Sequence, residues 1–255
     1  MIKDYVYDEE KQLGLDIYEP KTIEATILLI HGGRWFRGDK NKETALAERL
    51  SADGFLVIAP NYRLAPTHIF PAALDDILNV YDWLTKSDFP INGKIAALGS
   101  SAGGNLDIEL ALQRGIPAAS WSGIIDLYDW VQKHPDVLAA MNQKPDFDKP
   151  ASGKIDQDGS NDAFYKWFIL NYVNQNSELL RQADPLSRVS NNSGPLFIAN
   201  SLKELVPLSG VYKLQAALAE KGVPSETKLI PGTVHGEGYS DLVYQATVQF
   251  LKDNL

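Results

Sequence analysis

The sequence predicts an α/β protein built on a mostly parallel central sheet with helices on both faces. Three observations carry this. Apolar runs of strand length, Ala25 to Ile30, Phe55 to Ala59 and Ile95 to Leu98, alternate with segments whose apolar residues fall at helical spacing. Runs that are apolar on every residue suit strands buried on both faces, and the intervening helices supply the crossovers that parallel strands need. The pentapeptide Gly99-Ser100-Ser101-Ala102-Gly103 occurs once, where one such strand gives way to a helix. The alternation breaks between Asp126 and Asp184 and then resumes, which predicts a single domain over 1–255 with a cap-like insertion at about 127–183.

In chain order, residues 5–7 and 13–18 alternate as an edge hairpin turning at Lys11-Gln12. The run 25–30 is the first doubly buried strand, followed directly by His31-Gly32-Gly33-Arg34-Trp35. Thr44 to Leu50 reads as a helix, and Phe55 to Ala59 as a strand. Pro71 opens a helix, with Leu74, Ile77, Leu78, Tyr81 and Leu84 at helical spacing. Strand, turn and helix around Ser101 follow, then a short strand at Ala118 to Trp121. In the insertion, Pro145 to Asp162 is rich in polar and breaker residues. The neighbouring Tyr128, Trp130, Phe147, Phe164, Tyr165, Trp167 and Phe168 read as exposed aromatics of a small cap over the sheet edge. Strands at 195–200 and 227–230 and helices at 209–221 and 241–251 complete the pattern.

Composition narrows the function. The chain has 255 residues, 44% hydrophobic and 22% charged, as in ordinary globular domains. A net charge of −9 disfavours nucleic acid and anionic membranes as partners. The absence of cysteine excludes disulfides and thiol catalysis. Together with an N-terminus lacking an apolar leader, it suggests a cytoplasmic protein. Four histidines without H-x-x-x-H spacing argue against a transition-metal site. A homo-oligomer is left open.

The chemistry concentrates on Ser101. G-x-S-x-G between strand and helix is the nucleophile-elbow pattern, where a turn too sharp for side chains at the flanking positions exposes the serine near a helix N-terminus. An acyl-transfer serine needs a base, an orienting acid and an oxyanion hole. His235, in a loop between the last strand and last helix, suits the base; His31 shapes its own glycine loop, and His68 and His134 fall in surface turns. Backbone N–H groups of Gly32, Gly33 and Ala102 are the expected oxyanion donors.

Together these residues resemble the α/β-hydrolase superfamily. Within it, they resemble the carboxylesterase and lipase group related to hormone-sensitive lipase and the acyl-peptide-hydrolase-like esterases. His31 to Trp35 with Gly38-Asp39 is similar to that group's H-G-G-x-W…G-D loop. Asn61-Tyr62-Arg63-Leu64-Ala65-Pro66, with Phe70-Pro71-Ala72 and Asp75-Asp76, resembles its tyrosine-arginine loop and following helix. Gly99 to Gly104 and Pro231 to His235 complete a resemblance spanning most of 25–250. Arg34 departs from it, standing where the lipase-like branch has a third glycine.

The resemblance implies a serine carboxylesterase acting on small, short-acyl esters without a cofactor. A peptidase or acyltransferase on the same scaffold, or a catalytically silent binding module, remains the alternative. The group usually carries its acid in a D-x-x-V-P loop. Here the aspartate position is Lys203, in Lys203-Glu204-Leu205-Val206-Pro207, so Glu204 is the expected acid, with Asp184 and Asp126 as alternatives.

Overall fold

The computed structural model describes residues 1–141 and 162–255. Its eight strands, β1 (Ile2–Asp8), β2 (Leu13–Tyr18), β3 (Ala25–Ile30), β4 (Phe55–Pro60), β5 (Ile95–Ser100), β6 (Ala118–Trp121), β7 (Leu196–Ser201) and β8 (Ser225–Ile230), form one sheet in the order β1-β2-β4-β3-β5-β6-β7-β8. β1 pairs antiparallel with β2, and β2 with β4; every later pairing is parallel. The edge hairpin and the parallel core are as the sequence predicts.

Period-2 alternation divides the core between the two faces. Ile27 and Leu29 of β3, with Phe55 and Val57 of β4, pack with Ala47 and Leu50 of α1 (Thr44–Ala52) and Val243 and Leu251 of α8 (Ser240–Asn254). Leu28 and Ile30, with Leu56 and Ile58, pack on the other face with Ile77 and Val80 of α2 (Ala72–Leu84), Leu106 and Leu110 of α3 (Ala102–Arg114) and Val211 and Leu214 of α7 (Leu208–Glu220). Helix α3 is buried from Ala102 to Leu112. It ends where Gly115 takes a left-handed conformation, φ 69°, at its C-cap.

Between β6 and β7 the chain forms α4 (Tyr128–Lys133), α5 (Asp162–Tyr172) and α6 (Ser177–Ala183). The aromatics there are not exposed as the polar sequence around them suggests. Trp130, Phe164, Tyr165 and Phe168 are at most 3% accessible and join the same core as the sheet. The reason is tertiary. Trp35 stacks on Tyr172 at 4.0 Å and tilts against Phe168, while Trp130 and Tyr165 meet edge to face at 4.8 Å. Tyr128 and Trp167 are half-buried against that core. Phe147 and most of the polar stretch 145–162 lie outside the described residues. No described helix is long and apolar enough to cross a membrane.

Candidate active site

The parallel strands all end on one edge, and the singled-out residues collect there, as ligands do in open α/β sheets. β5 runs straight into α3 with Ser101 as the only link, at φ 56°, ψ −116°. A non-glycine residue in this region costs about 1–3 kcal/mol and persists only where its surroundings hold it. They do. Ser101 N–H donates to Trp121 O at 2.9 Å, and Ser101 O accepts from Asn105 N–H at 3.0 Å. The flanking glycines are sterically required. A Cβ on Gly99 would stand 2.5 Å from the Gly103 carbonyl carbon, and one on Gly103 would stand 2.1 Å from Ile30 O.

β3 ends in the glycine loop. Arg34 and Trp35 both take positive φ, 59° and 66°, and the buried Trp35 ring stacked on Tyr172 anchors that bend. His31 stacks on Tyr62 at 4.2 Å, its Nδ1 2.9 Å from Gly32 O, and burial drives its pKa down to about 4. A neutral ring therefore supports the loop from beneath. Arg34 fills the third-glycine position, its guanidinium 5.0 Å from the Phe164 ring centroid. The three expected oxyanion donors divide here. The Gly32 amide faces the buried Glu43 carboxyl and lowers that group's pKa. This orientation counts against Gly32 as a donor and leaves Gly33 and Ala102.

The two loops after β7 and β8 meet at Glu204 and His235. His235 Nδ1 hydrogen-bonds Glu204 Oε2, and both side chains are buried. Glu204 Oε1 accepts from the Ser201 amide at 2.8 Å and from the Ser122 hydroxyl at 2.7 Å. His235 Nε2 is buried and makes no hydrogen bond among the described residues. Lys203, at the usual acid position, is exposed, and its amide donates to Gly232 O at 3.0 Å.

The alternative acids are engaged elsewhere. Asp184 accepts from the amides of Leu127, Tyr128 and Leu186, and burial raises its pKa to about 6. Asp126 accepts from Ser209 and Lys213, both at 2.8 Å.

Sequence reasoning missed several residues here. Ser122 Oγ also accepts the Gly236 amide at 2.8 Å and lies 2.7 Å from the hydroxyl of Tyr239, which is itself 2.9 Å from Ala199 O. Its only sequence signal is position, one residue past β6 at the edge where the site forms. Glu43 and Glu237 carried no motif. Among the described residues, no group of three or more His, Asp or Glu converges as a metal would require.

The family described as alpha/beta hydrolase fold matches residues 27–238. The chain belongs to that family. It is 29% identical over 228 residues to ethyl acetate hydrolase of Pseudomonas putida, covering 85% of this chain and 67% of that one. It is 26% identical over 253 residues to carboxylesterase NlhH of Mycobacterium tuberculosis, covering 95% and 76%. Among solved structures, a truncated carbohydrate esterase from gut microbiota superposes with a TM-score of 0.75 at 18% identity, over 99% of this chain and 95% of that one. Esterase 2 of Thermogutta terrifontis gives 0.69 at 17% identity, over 96% and 90%. At such identities these last two speak to the fold.

Proposed function

We infer that the protein is a carboxylic ester hydrolase working through an acyl-serine intermediate, with Ser101, His235 and Glu204 as its triad. One observation carries this most directly. A buried carboxyl, Glu204, holds Nδ1 of a buried histidine whose Nε2 has no partner among the described residues, on the sheet edge where Ser101 occupies a left-handed elbow. Relatives named for ester hydrolysis across the chain's length support the same reading.

In this proposal Ser101 Oγ attacks the ester carbonyl carbon while His235 Nε2 takes its proton. Glu204 holds the imidazole in the tautomer with Nδ1–H and stabilises the imidazolium that forms. Backbone N–H groups of Gly33 and Ala102 receive the negative oxygen of the tetrahedral intermediate. Collapse expels the alcohol, which takes the proton back from His235. Water, activated by the same imidazole, then releases the acid and regenerates Ser101. No step calls for a cofactor.

Small esters with short acyl chains are the proposed substrates. Trp35 and Phe164 both pack on Phe168 beside the glycine loop, and large apolar side chains there would limit the volume open to an acyl tail. The relative named for ethyl acetate points the same way. The test is labelling with a serine-directed phosphonate, followed by p-nitrophenyl ester turnover over increasing chain length. Phosphonylation at Ser101, with acetate and butyrate esters preferred, is expected. A protein that hydrolyses p-nitrophenyl acetate while Ser101 stays unlabelled would overturn the assignment.

A further inference from the structure

The mechanism above leaves unused a carboxyl pair packed against its loops. Glu43, in the 3-10 turn Lys40–Glu43, is 2% exposed. Glu237 lies two residues beyond His235, in the turn Gly236–Tyr239. The Glu43 carboxyl hydrogen-bonds that of Glu237 and faces the Gly32 amide. Glu237 Oε1 accepts the Ser100 hydroxyl at 3.0 Å. Gly32 is tightly seated against the elbow. A Cβ there would meet Ser100 O at 2.9 Å, Ser100 Oγ at 3.3 Å and Ser101 Cβ at 3.5 Å. Three segments of the site therefore converge on two carboxyls: the glycine loop through Gly32, the nucleophile strand through Ser100, and the histidine loop through Glu237.

The pair's protonation follows from its contacts. Glu43 Oε1 is buried without a hydrogen-bond donor among the described residues. An ionised oxygen so placed is costly to desolvate, whereas a carboxylic acid donating to a neighbouring carboxylate satisfies both groups. Two carboxyls in contact cannot both ionise cheaply. The nearby charges do not reverse this. Lys42 faces both carboxyls, but burial and Arg37 pull its own pKa down. Asp39 faces Lys42 and His31, and the buried Tyr62 phenol faces Glu43.

We propose that Glu43 and Glu237 share one proton and act together as positioning residues, holding Gly32, Ser100 and the His235 loop in register for ester hydrolysis. This rests on the site reading given above. Burial and the Glu237 charge keep the Glu43 carboxyl well above the usual carboxylate range. The proton is therefore present at neutral pH and leaves in alkali. Two negative charges then face each other where the turn carrying Glu43 meets the His235 loop, and their repulsion drives the two segments apart. The proposal gives an alkaline fall in kcat with a smaller change in KM.

The experiment measures kcat and KM for p-nitrophenyl acetate against pH in the wild type, Glu43→Gln and Glu237→Gln. Each amide donates permanently the hydrogen bond that the shared proton supplies. Each variant should keep neutral-pH kcat within about 3-fold and move the alkaline limb up by about one pH unit or more. Glu43→Leu should lower kcat about tenfold or more at every pH, with KM little changed. Infrared difference spectra of protein carrying ¹³C-labelled glutamate read the proton itself. The wild type should show a protonated glutamic acid band at neutral pH that Glu43→Gln lacks.

Alkaline limbs that superimpose in the wild type and both glutamine variants would overturn the proposal. Absence of the protonated band from the wild type overturns it too, even if a variant fails to fold. Should the wild type neither hydrolyse the ester nor take up phosphonate at Ser101, the site reading fails instead, and the infrared band still decides the pair.

Discussion

Ser122 donates its hydroxyl to Glu204 Oε1 at 2.7 Å, on the same carboxyl whose other oxygen holds His235 Nδ1. Ser122 Oγ also accepts the Gly236 amide, next to His235 in the chain. One hydroxyl thus braces both the proposed acid and the loop of the proposed base. Ser122→Ala leaves a buried amide and a buried carboxylate oxygen each short of a partner. That should cost about 1–3 kcal/mol of stability and lower kcat several-fold to about tenfold, with KM near wild type. Thermal melting and p-nitrophenyl acetate kinetics check both. Ser122 sits at φ 53°, so Ser122→Gly is the companion variant that removes the hydroxyl without straining the backbone. Wild-type kcat in both would mean that the Ser201 amide alone holds Glu204.

The triad roles separate by size of effect. Ser101→Ala should lose about 10³ or more in kcat, because the nucleophile and base act as a unit. Ser100→Ala should retain the chemistry with a loss of about tenfold or less, since Ser100 meets Glu237 and not the ester. Glu204→Gln should depress kcat steeply with the fold and KM largely kept, because an amide cannot stabilise the imidazolium. Asp184→Asn and Asp126→Asn should instead lower the melting temperature while sparing kcat, since those carboxylates bind amides and Lys213. Lys203→Ala should change neither. A dead Asp184→Asn beside an active Glu204→Gln would move the acid to Asp184.

The aromatics between β6 and β7 call for variants chosen by burial. Trp130→Ala and Phe164→Ala remove side chains that are at most 3% accessible and should cost about 3–5 kcal/mol each. Any change in substrate preference would then be confounded with unfolding. Trp167 is only half-buried, 5.8 Å from the Phe36 ring centroid. Trp167→Ala should shift the optimum of a p-nitrophenyl ester series towards longer chains with little loss of stability. An unchanged chain-length profile in a stable Trp167→Ala protein removes Trp167 from acyl selection.

How legible the molecule was depended on whether the information was local. Strand and helix patterns, the elbow and its two glycines follow from neighbouring residues, so sequence sufficed. Gly99 and Gly103 stand four positions apart, and a Cβ on Gly99 would run into the Gly103 carbonyl. Glu204 was reachable because it is the one carboxylate in its loop. Trp130 and Phe164 read as exposed because their surroundings in the chain are polar, while Trp130 meets Tyr165 and Phe164 meets the Arg34 guanidinium, both from distant segments. Ser122, Glu43 and Glu237 stayed invisible for the same reason. Each acts through contacts between segments far apart in the chain, and no local pattern encodes such a meeting.

Asp107 offers a test that is independent of catalysis. It lies on the buried face of α3, is fully inaccessible, and neither carboxyl oxygen has a hydrogen-bond partner among the described residues. Burial raises its pKa well above the unfolded value of 3.8, against smaller opposing effects from the Gly99 and Ile108 amides and Ser120. The sign follows from proton counting. Between the unfolded and folded pKa values the native state binds more protons than the unfolded state, so stability falls as pH rises across that window. Asp107→Asn cannot titrate and should lose this fall. The difference in unfolding free energy between variant and wild type should therefore grow in the variant's favour from pH 3.8 upward and level off above the folded pKa. His31 contributes an opposite slope between its folded value of about 4 and its unfolded 6.5, but equally in both proteins, so it cancels from the difference. Urea unfolding of the two proteins from pH 4 to 8 measures this directly. A pH-independent difference would mean that Asp107 is ionised and solvated in the folded protein.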